Sequence, residues 1–350
     1  MKVISSMKEL ISSKPIYSRA PLRLGLAGGG TDVSPYCDQY GGFVLNATID
    51  RYAYTVIRAT DKKLAVFKSI DQKLEEVFDP NLVSNNVFQL KLHVAVYKHM
   101  MKHYNNGNYV PLSLITYCDA PIGSGLGSSS TIVVSMIKAF VELLDLPFDS
   151  YKIANLAYVI ERIDCNLKGG RQDQYAASFG GVNFIEFYKN NKVLVNPLKI
   201  KNSVISQLES SLLLYFTGIS RDSEKIIDQI SEKKLDQLEA MHCIKAEALV
   251  MKEAILTGNF QVIVDSMKKS WDTKKKLAKE ISNSQLDLIY EKAINAGALA
   301  GRISGAGGGG FMLFYVPLES RQEVKNILTG FGGVVSNCHF TENGCVAWSI

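Results

Sequence analysis

The chain has 350 residues, 47% of them hydrophobic and 21% charged, with a formal net charge of +5. That length favours two domains over one, and the composition is that of an ordinary globular protein able to bury sizeable cores. The mild positive charge argues against a nucleic-acid binder, whose basic residues would be denser on one face, and suits a small anionic substrate.

The first stretch, Met1–Pro15, reads as a short polar helix or arm without the long apolar core of a signal peptide. No apolar run reaches the roughly 18 residues of a membrane span, so no membrane partner is expected. Six cysteines (Cys37, Cys118, Cys165, Cys243, Cys338, Cys345) show no C-x-x-C spacing. Free thiols in a cytoplasmic protein are the simple expectation. Ile16–Ala27 is apolar and β-like, interrupted by Arg19 and Arg23. Gly28-Gly29-Gly30-Thr31-Asp32 follows, a glycine turn that ends in a hydroxyl and a carboxylate, groups suited to gripping a polyol. A plain turn with a capping aspartate explains the same residues. Gly42–Arg58 and Lys63–Ser69 carry strand residues, and Asp61-Lys62-Lys63 between them predicts a hairpin turn. Gln89–Tyr104 reads as a helix closed by Asn105-Asn106-Gly107. Its His99 and His103 stand one turn apart, a metal-binding spacing, but no third ligand is adjacent and a surface helix accounts for them.

Leu112–Cys118 predicts a strand, and Thr131–Leu144 a helix so apolar that it must be buried. Between them runs Pro121-Ile122-Gly123-Ser124-Gly125-Leu126-Gly127-Ser128-Ser129-Ser130-Thr131. Its glycines permit a tight turn and a close approach of ligand to main chain. Its serines stand at a helix start, with hydroxyls available as caps. The free N–H groups and the positive end of the helix dipole favour an anion there. No lysine follows the last glycine, so the loop is not the G-x-x-x-x-G-K-[ST] motif. Charge for a phosphate must come from elsewhere, and Mg²⁺ held by a carboxylate and a serine is the expected source. Taken alone, the loop also fits a Gly/Ser turn with no ligand.

Tyr151–Arg162 reads as a helix with Glu161 near its end, followed by the polar turn Lys168-Gly169-Gly170-Arg171-Gln172-Asp173-Gln174-Tyr175. Ala176–Gly181 leads into strands near Val182–Phe187 and Lys192–Pro197. From about Ile200 the chain turns helical and Lys/Glu-rich, which places a domain boundary near residues 190–205 and gives domains 1–195 and 196–350. Leu212–Thr217 predicts a strand, and Ser223–Ser231, Leu235–Gly258, Phe260–Ser270 and Asn283–Ala296 predict helices. Lys274-Lys275-Lys276 reads as a solvated face. Arg302–Gly310 is a third glycine loop, followed by a strand at Phe311–Val316, a helix at Ser320–Leu328 and two short terminal strands.

Three glycine loops in this order, with Glu161 and Asp173 between the second and third, resemble the GHMP kinases, the superfamily of galactokinase, homoserine kinase and mevalonate kinase. The matching stretches are Ala20–Leu24 running to Gly30-Thr31-Asp32, Pro121–Ser129, and Ile303–Gly310. PLRLGLAGGGTDVSPYCDQYGG, GGRQDQYAASFGG and GRISGAGGGGFMLF are further similar to the sugar-1-kinase branch that holds the bacterial heptose 7-phosphate kinases, and are related to the bifunctional fucokinases. The likeness spans residues 16–316.

The resemblance implies an α+β fold of two domains, the first with a left-handed β-α-β unit and the second ferredoxin-like with added helices. It implies an ATP- and Mg²⁺-dependent kinase that phosphorylates the anomeric hydroxyl of D-glycero-D-manno-heptose 7-phosphate for surface glycan precursors. Alternatives are a kinase for another sugar such as fucose, or a non-catalytic sugar sensor on the same fold. The implied partners are a sugar phosphate and ATP; a homodimer is compatible with the sequence. By resemblance, Pro121, Gly123, Ser124, Gly125, Leu126, Gly127, Ser128, Ser129 and Ser130 wrap the ATP phosphates. Ser129 and Glu161 hold Mg²⁺, and Asp173 is the base. Gly28, Gly29, Gly30, Thr31 and Asp32 hold sugar hydroxyls, while Gly307 and Gly308 close over the phosphates. The chain departs from the mevalonate-type pattern in having Arg23 for a lysine; its fork can hold a phosphate or pair with Asp173. It also lacks the galactokinase Glu-His, having Gly29-Gly30, which argues against galactose. Lys168 and Arg171, flanking two glycines just before Asp173, are the expected seat of the substrate phosphate or the transferred group, with Arg302 and Arg221 as competitors.

Overall fold

The computed structural model describes residues 14–80, 88–219 and 235–350. The expected arm, the helix at Ser223–Ser231 and Arg221 lie outside the described residues. The first half is built on strands β1 (Ile16–Ala27), β2 (Gly42–Arg58), β3 (Ala65–Ser69), β4 (Leu74–Phe78), β5 (Ser113–Cys118), β6 (Val182–Phe187) and β7 (Val193–Pro197). Its helices are α1 (Tyr36–Tyr40), α2 (Lys91–Tyr104), α3 (Ser128–Leu143), α4 (Ser150–Tyr158) and α5 (Gln172–Phe179). The long β2 pairs with β1 along most of its length, with β6 through its first half and with β5 through its second. The predicted hairpin at Asp61–Lys63 does not form. β5 inserts between β2 and β3, antiparallel to the one and parallel to the other, and β3 turns back onto β4 instead. The β4 sequence, LEEVF, carries two adjacent glutamates and gives little strand signal.

The predicted buried helix is found. Every residue of α3 from Thr131 to Ile137 is buried, against β1 and β2. The helix meets the sheet through apolar packing and one polar joint, Ser135 with Ser18 and Thr55 at 3.0 and 2.9 Å. Beyond α6 (Asn202–Ser211), the second half folds as β8 (Leu212–Phe216), α7 (Leu235–Thr257), α8 (Phe260–Lys275), α9 (Ser284–Asn295), β9 (Ala300–Ile303), β10 (Phe311–Tyr315), α10 (Arg321–Thr329) and β11 (Val334–Asn337). The sheet order β11-β8-β10-β9, antiparallel throughout, is that of a β-α-β-β-α-β ferredoxin-like unit with added helices between its first two strands.

The two halves share one core. Leu22, Leu24 and Phe140 lie in the same apolar cluster as Met251 and Ile255 of α7 and Phe311 and Leu313 of β10. A smaller cluster around Trp271, Phe314 and Ile289 lies in the second half, joined from the first half by Tyr36 of α1. The chain also returns: β12 (Val346–Ser349) pairs with β1 as an edge strand of the first sheet. Just before it, Asp50 N–H donates to His339 O and Thr341 N–H to Thr48 O, both at 3.0 Å. These bonds take up extra residues of β2 at a bulge. Pro21 has no N–H for the ladder, and the register slips there, from Pro21↔Tyr52 to Arg23↔Thr48. Bulges re-aim side chains beside functional sites, and this one falls at Arg23. Among the described residues no helix is long and apolar enough to cross a membrane.

Candidate active site

The β5–α3 loop, the third glycine loop, the Gly29–Asp32 turn and the start of α5 enclose a cavity of about 370 Å³. Gly123, Gly125 and Gly127 have φ of 79°, 86° and 79°, a left-handed backbone that disfavours side chains, so the alternate-glycine spacing is a requirement of the turn. α3 starts at Ser128, with Gly127 as an N-cap that offers no side-chain acceptor. The first-turn N–H groups, beside the positive end of the dipole, are thus left for a ligand. The serines do not cap, contrary to the sequence expectation. Ser128 Oγ bonds Pro121 O at 3.1 Å, Ser129 Oγ bonds Glu161 at 2.9 Å and Ser130 Oγ accepts from Gln174 at 3.1 Å. Gly123, Gly125, Gly127, Ser128 and Ser129 line the cavity. Pro121, Ser124, Leu126 and Ser130 do not; Leu126 is a core residue and Ser124 is fully buried.

Two carboxylates stand beside this loop. Glu161 lies in a π-helical turn, Val159–Asp164, that continues α4, a distortion common at functional sites. Its side chain is fully buried, with Oε1 accepting from Ser129 Oγ at 2.9 Å and Oε2 from Gln174 Nε2 at 2.6 Å. Arg162 is its nearest cation, at 3.7 Å. Asp173, expected in a polar turn, sits instead in the first turn of α5. Arg23 Nε and Nη2 both reach its Oδ1 at 2.6 Å, and Arg23 Nη1 donates to Gly125 O at 2.7 Å. A side chain on Gly127 would come within 3.1 Å of Asp173 Oδ2, so that oxygen faces the glycine loop. Arg23 thereby ties the base candidate to the loop in one buried unit.

The structure corrects several expected contacts. Asp32 is 1% exposed, and both its oxygens are occupied: Oδ2 accepts from the N–H groups of Arg171 and Gln172 at 2.8 and 3.0 Å, Oδ1 from Gln172 Nε2 and Gly30 N at 3.1 and 3.2 Å. A carboxylate has about four acceptor sites, and none is left for a sugar hydroxyl. Asp32 is the N-terminal cap of α5, supplied from a distant turn, which realises the plainer reading of that motif. Burial pushes its pKa up, against the four N–H donors that favour the anion. Gly170 must be glycine, because a Cβ there would lie 1.9 Å from Asp32 Oδ2. Thr31 Oγ1 closes its own turn by donating to Gly28 O and Phe43 O at 2.7 and 2.9 Å, and only Gly29 and Gly30 of the triplet line the cavity. Arg171 turns away: its guanidinium meets Ser34 and Asp38 at 3.3 Å and lies over the Tyr158 ring, outside the cavity wall. Gly308 N–H donates to Ile281 O at 2.7 Å, and Gly307 packs on Ile281, so neither closes over the cavity; Gly305 and Ala306 do. Gly310 packs directly on Ser124, and Phe311 N–H bonds Ser124 O at 2.8 Å, sewing the third motif to the second.

Other residues enter the site that the sequence reading missed. Lys274, expected on a solvated face, is 5% exposed; its ammonium donates to Gly305 O, and it lines the cavity. Lys276, two residues on, is exposed as predicted. Arg162 props the 168–170 loop through Lys168 O and Gly170 O at 3.3 and 3.4 Å. Lys168 lies on the rim with an exposed side chain. Arg302 is buried in the wall, Nη1 donating to Leu26 O at 2.6 Å; burial, and then the nearby Arg23, push its guanidinium down to about 10. His99 pairs with Asp164 at 2.9 Å, and among the described residues no group of three His, Cys, Asp or Glu side chains gathers as for a metal.

Asp32→Ala is expected to destabilise the protein by about 3 kcal/mol, since it removes a helix cap and strands buried donors. It should also lower turnover, because Asp173 is the residue after Gln172. Urea unfolding measures the first effect; a loss below about 1 kcal/mol would contradict the capping role.

Comparison with known proteins follows this geometry. The family model for the GHMP kinases N terminal domain matches residues 91–181, and that for the GHMP kinases C terminal matches 251–333. The chain is 45% identical over 340 residues to a D-glycero-alpha-D-manno-heptose 7-phosphate kinase of Campylobacter jejuni, covering 96% of this chain and 100% of that protein. A crystal structure described as a D-glycero-D-manno-heptose 1-phosphate kinase from Bacteroides thetaiotaomicron is 40% identical, with a TM-score of 0.80 over 96% of this chain and 99% of that one. A Lactococcus lactis galactokinase complexed with galactose shares the fold, at 17% identity and a TM-score of 0.75 over 98% of each chain.

Proposed function

The chain belongs to the GHMP kinase family, and from that premise we propose that it transfers the γ-phosphoryl group of ATP to the anomeric hydroxyl of D-glycero-D-manno-heptose 7-phosphate. The observation that carries this is the joined unit of Gly125, Arg23, Asp173 and Gly127, which sets a carboxylate oxygen against a phosphate-binding turn at a helix N-terminus. Phosphoryl transfer has a loose transition state, so positioning and charge neutralisation supply most of the rate. The α3 N–H groups bind and orient the ATP phosphates. Asp173 Oδ2 accepts the proton of the attacking hydroxyl, while Arg23 fixes the carboxylate through Oδ1 and delivers positive charge near the transferred group.

The donor set fits Mg²⁺. Glu161 and Ser129 offer a hard carboxylate–hydroxyl pair at the edge of the loop, and Mg²⁺ is commonly held by one or two protein oxygens plus substrate phosphates. When bound, it would supply charge neutralisation to the phosphate oxygens. Gln174 bridges Glu161 and Ser130 and so holds the carboxylate against the helix start.

A heptose phosphate as substrate is supported by the two relatives at 45% and 40% identity, whose names differ in where the phosphate sits. A panel with ATP decides between them: heptose 7-phosphate, heptose 1-phosphate, unphosphorylated heptose, fucose, mannose and galactose, with the product read by phosphorus NMR. The expected result is highest kcat/KM on heptose 7-phosphate and a new anomeric phosphate signal. Faster turnover of fucose, or phosphorylation away from C1, would overturn the reading.

A further inference from the structure

We propose that Arg302 is a catalytic residue for the transfer itself, a second cation that meets the phosphoryl group as it passes from ATP to the sugar hydroxyl. The inference rests on the sugar-kinase reading above and assigns one more side chain of the cavity wall to that reaction.

Arg302 stands in β9, in the second half of the chain, and lines the cavity although it is only 4% exposed. Its Nη1 donates to Leu26 O at 2.6 Å, and its Nε is buried with no acceptor. A carbonyl satisfies a donor without neutralising a charge, and burying a cation without an anion is costly. The other arginines in and around the site each meet a carboxylate: Arg23 has Asp173, Arg162 has Glu161 and Arg171 has Asp38. No carboxylate pairs with Arg302 among the described residues, and the charged group that bears on it is Arg23, a further cation. Its guanidinium, pushed down to about 10 by burial and then by Arg23, still carries its charge at neutral pH.

This charge lies at the acceptor end of the transfer. Leu26, which anchors the guanidinium, belongs to β1, the strand that carries Arg23 and runs into the Gly28–Gly30 turn. Ser304, two residues on from Arg302, bonds Gly125 O at 2.8 Å, and Arg23 Nη1 bonds the same carbonyl at 2.7 Å. Arg302 is thus fixed beside the arginine that holds Asp173, whereas ATP has its cradle at the α3 N-terminus. In the step, the sugar oxygen forms a bond to the γ-phosphorus, and the bond from that phosphorus to the bridging oxygen breaks, its electron pair leaving with ADP. The hydroxyl proton passes to Asp173 Oδ2. The group in transit carries its negative oxygens away from the helix N-terminus and toward the two arginines. A guanidinium without an anion before this movement, and matched during it, lowers the barrier without tightening ground-state binding. Its planar fork suits two phosphoryl oxygens at once.

The test compares wild type with Arg302→Met, which keeps an aliphatic stem and removes the charge. Steady-state kinetics are measured on heptose 7-phosphate and on unphosphorylated heptose, with ATP varied in parallel. The expected result is a kcat about 100-fold lower on both sugars, with the KM of each sugar and of ATP changed by less than about threefold. Binding of ADP with aluminium fluoride, a mimic of the group in transit, should weaken by a similar factor in the presence of sugar, while ADP alone binds as before. A loss confined to heptose 7-phosphate would place Arg302 at the phosphate the sugar already carries and overturn the inference. So would a rise in the KM of ATP that accounts for the loss, or a kcat loss under about tenfold. If wild type does not act on heptose 7-phosphate, the substrate reading fails and not this assignment. The comparison is then made on whichever sugar of the panel it phosphorylates, because the transferred group is the same. Should Arg302→Met not fold, as judged by thermal unfolding, Arg302→Lys carries the test, since it keeps a charge but loses the fork. Its kcat should fall by about tenfold on both sugars, and an unchanged kcat or a loss on one sugar alone would overturn the inference.

Discussion

Replacing Asp173 with Asn is expected to lower kcat by about 10³-fold while changing the KM of ATP by less than about twofold. The amide keeps the shape of the carboxylate and its place in the first turn of α5, but it cannot accept a proton. It also removes the negative charge that Arg23 meets at 2.6 Å, leaving Arg23 with neutral acceptors alone, the amide oxygen and Gly125 O. ATP binding rests on the turn at Gly123–Ser129 and should survive. Steady-state kinetics with varied ATP, supported by ATP titration calorimetry, separate the two effects. A kcat loss under tenfold would remove Asp173 from the base role, and a large rise in the KM of ATP would make it a structural strut of the loop. Asp173 and Asp32 both line the cavity, but Asp32 is consumed as the cap of the helix on which Asp173 stands.

Glu161→Gln is expected to raise the Mg²⁺ concentration for half-maximal activity by at least about tenfold and to lower kcat/KM by about 100-fold. The substitution preserves volume at a fully buried position, but it puts an amide where Ser129 Oγ or Gln174 Nε2 now donates to a carboxylate. The amide NH2 then either meets the Gln174 amide donor or turns the Ser129 hydroxyl into an acceptor, and the oxygen pair expected to hold the cation loses its charge. Titrating Mg²⁺ at saturating ATP reads the effect directly. An unchanged Mg²⁺ requirement with reduced turnover would leave Glu161 as a positioning residue for Ser129. Gln174→Leu provides the comparison, since it removes the support of the carboxylate without touching its charge.

Much of this site was legible from local signals. The alternate glycines at 123, 125 and 127 were visible because three left-handed residues in five positions strongly favour glycine, a local backbone demand. The buried character of α3 was visible because an apolar surface around a helix has no other place to go. The roles of Asp32 and Lys274 were not. Asp32 caps a helix some 139 residues later, and neither partner carries a sign of the other in its own neighbourhood. The run Lys274–Lys276 has the composition of a solvated face, and its helical phase against Gly305 alone turns the first lysine inward and leaves the last in water. The hairpin failed for a similar reason: Asp61–Lys63 is good turn chemistry, but β5 takes the partner edge of β2.

The sequence by itself determined the elements whose cause lies within a few residues: the long strands β1 and β2, the buried helix α3 and the glycine turns, whereas Glu161 and Asp173 stood out only through the resemblance that joins them to the three glycine loops. Backbone conformation and apolar periodicity are local properties, and they read out directly. Only the tertiary structure decided which polar groups are spent within the protein and which face the cavity. A carboxylate or cation looks the same in sequence whether it caps a distant helix, closes a turn or waits for substrate. That choice is made by partners brought together across the fold: Asp32 with α5, Arg23 with Asp173 through the bulge after Pro21, and Lys274 with the third glycine loop.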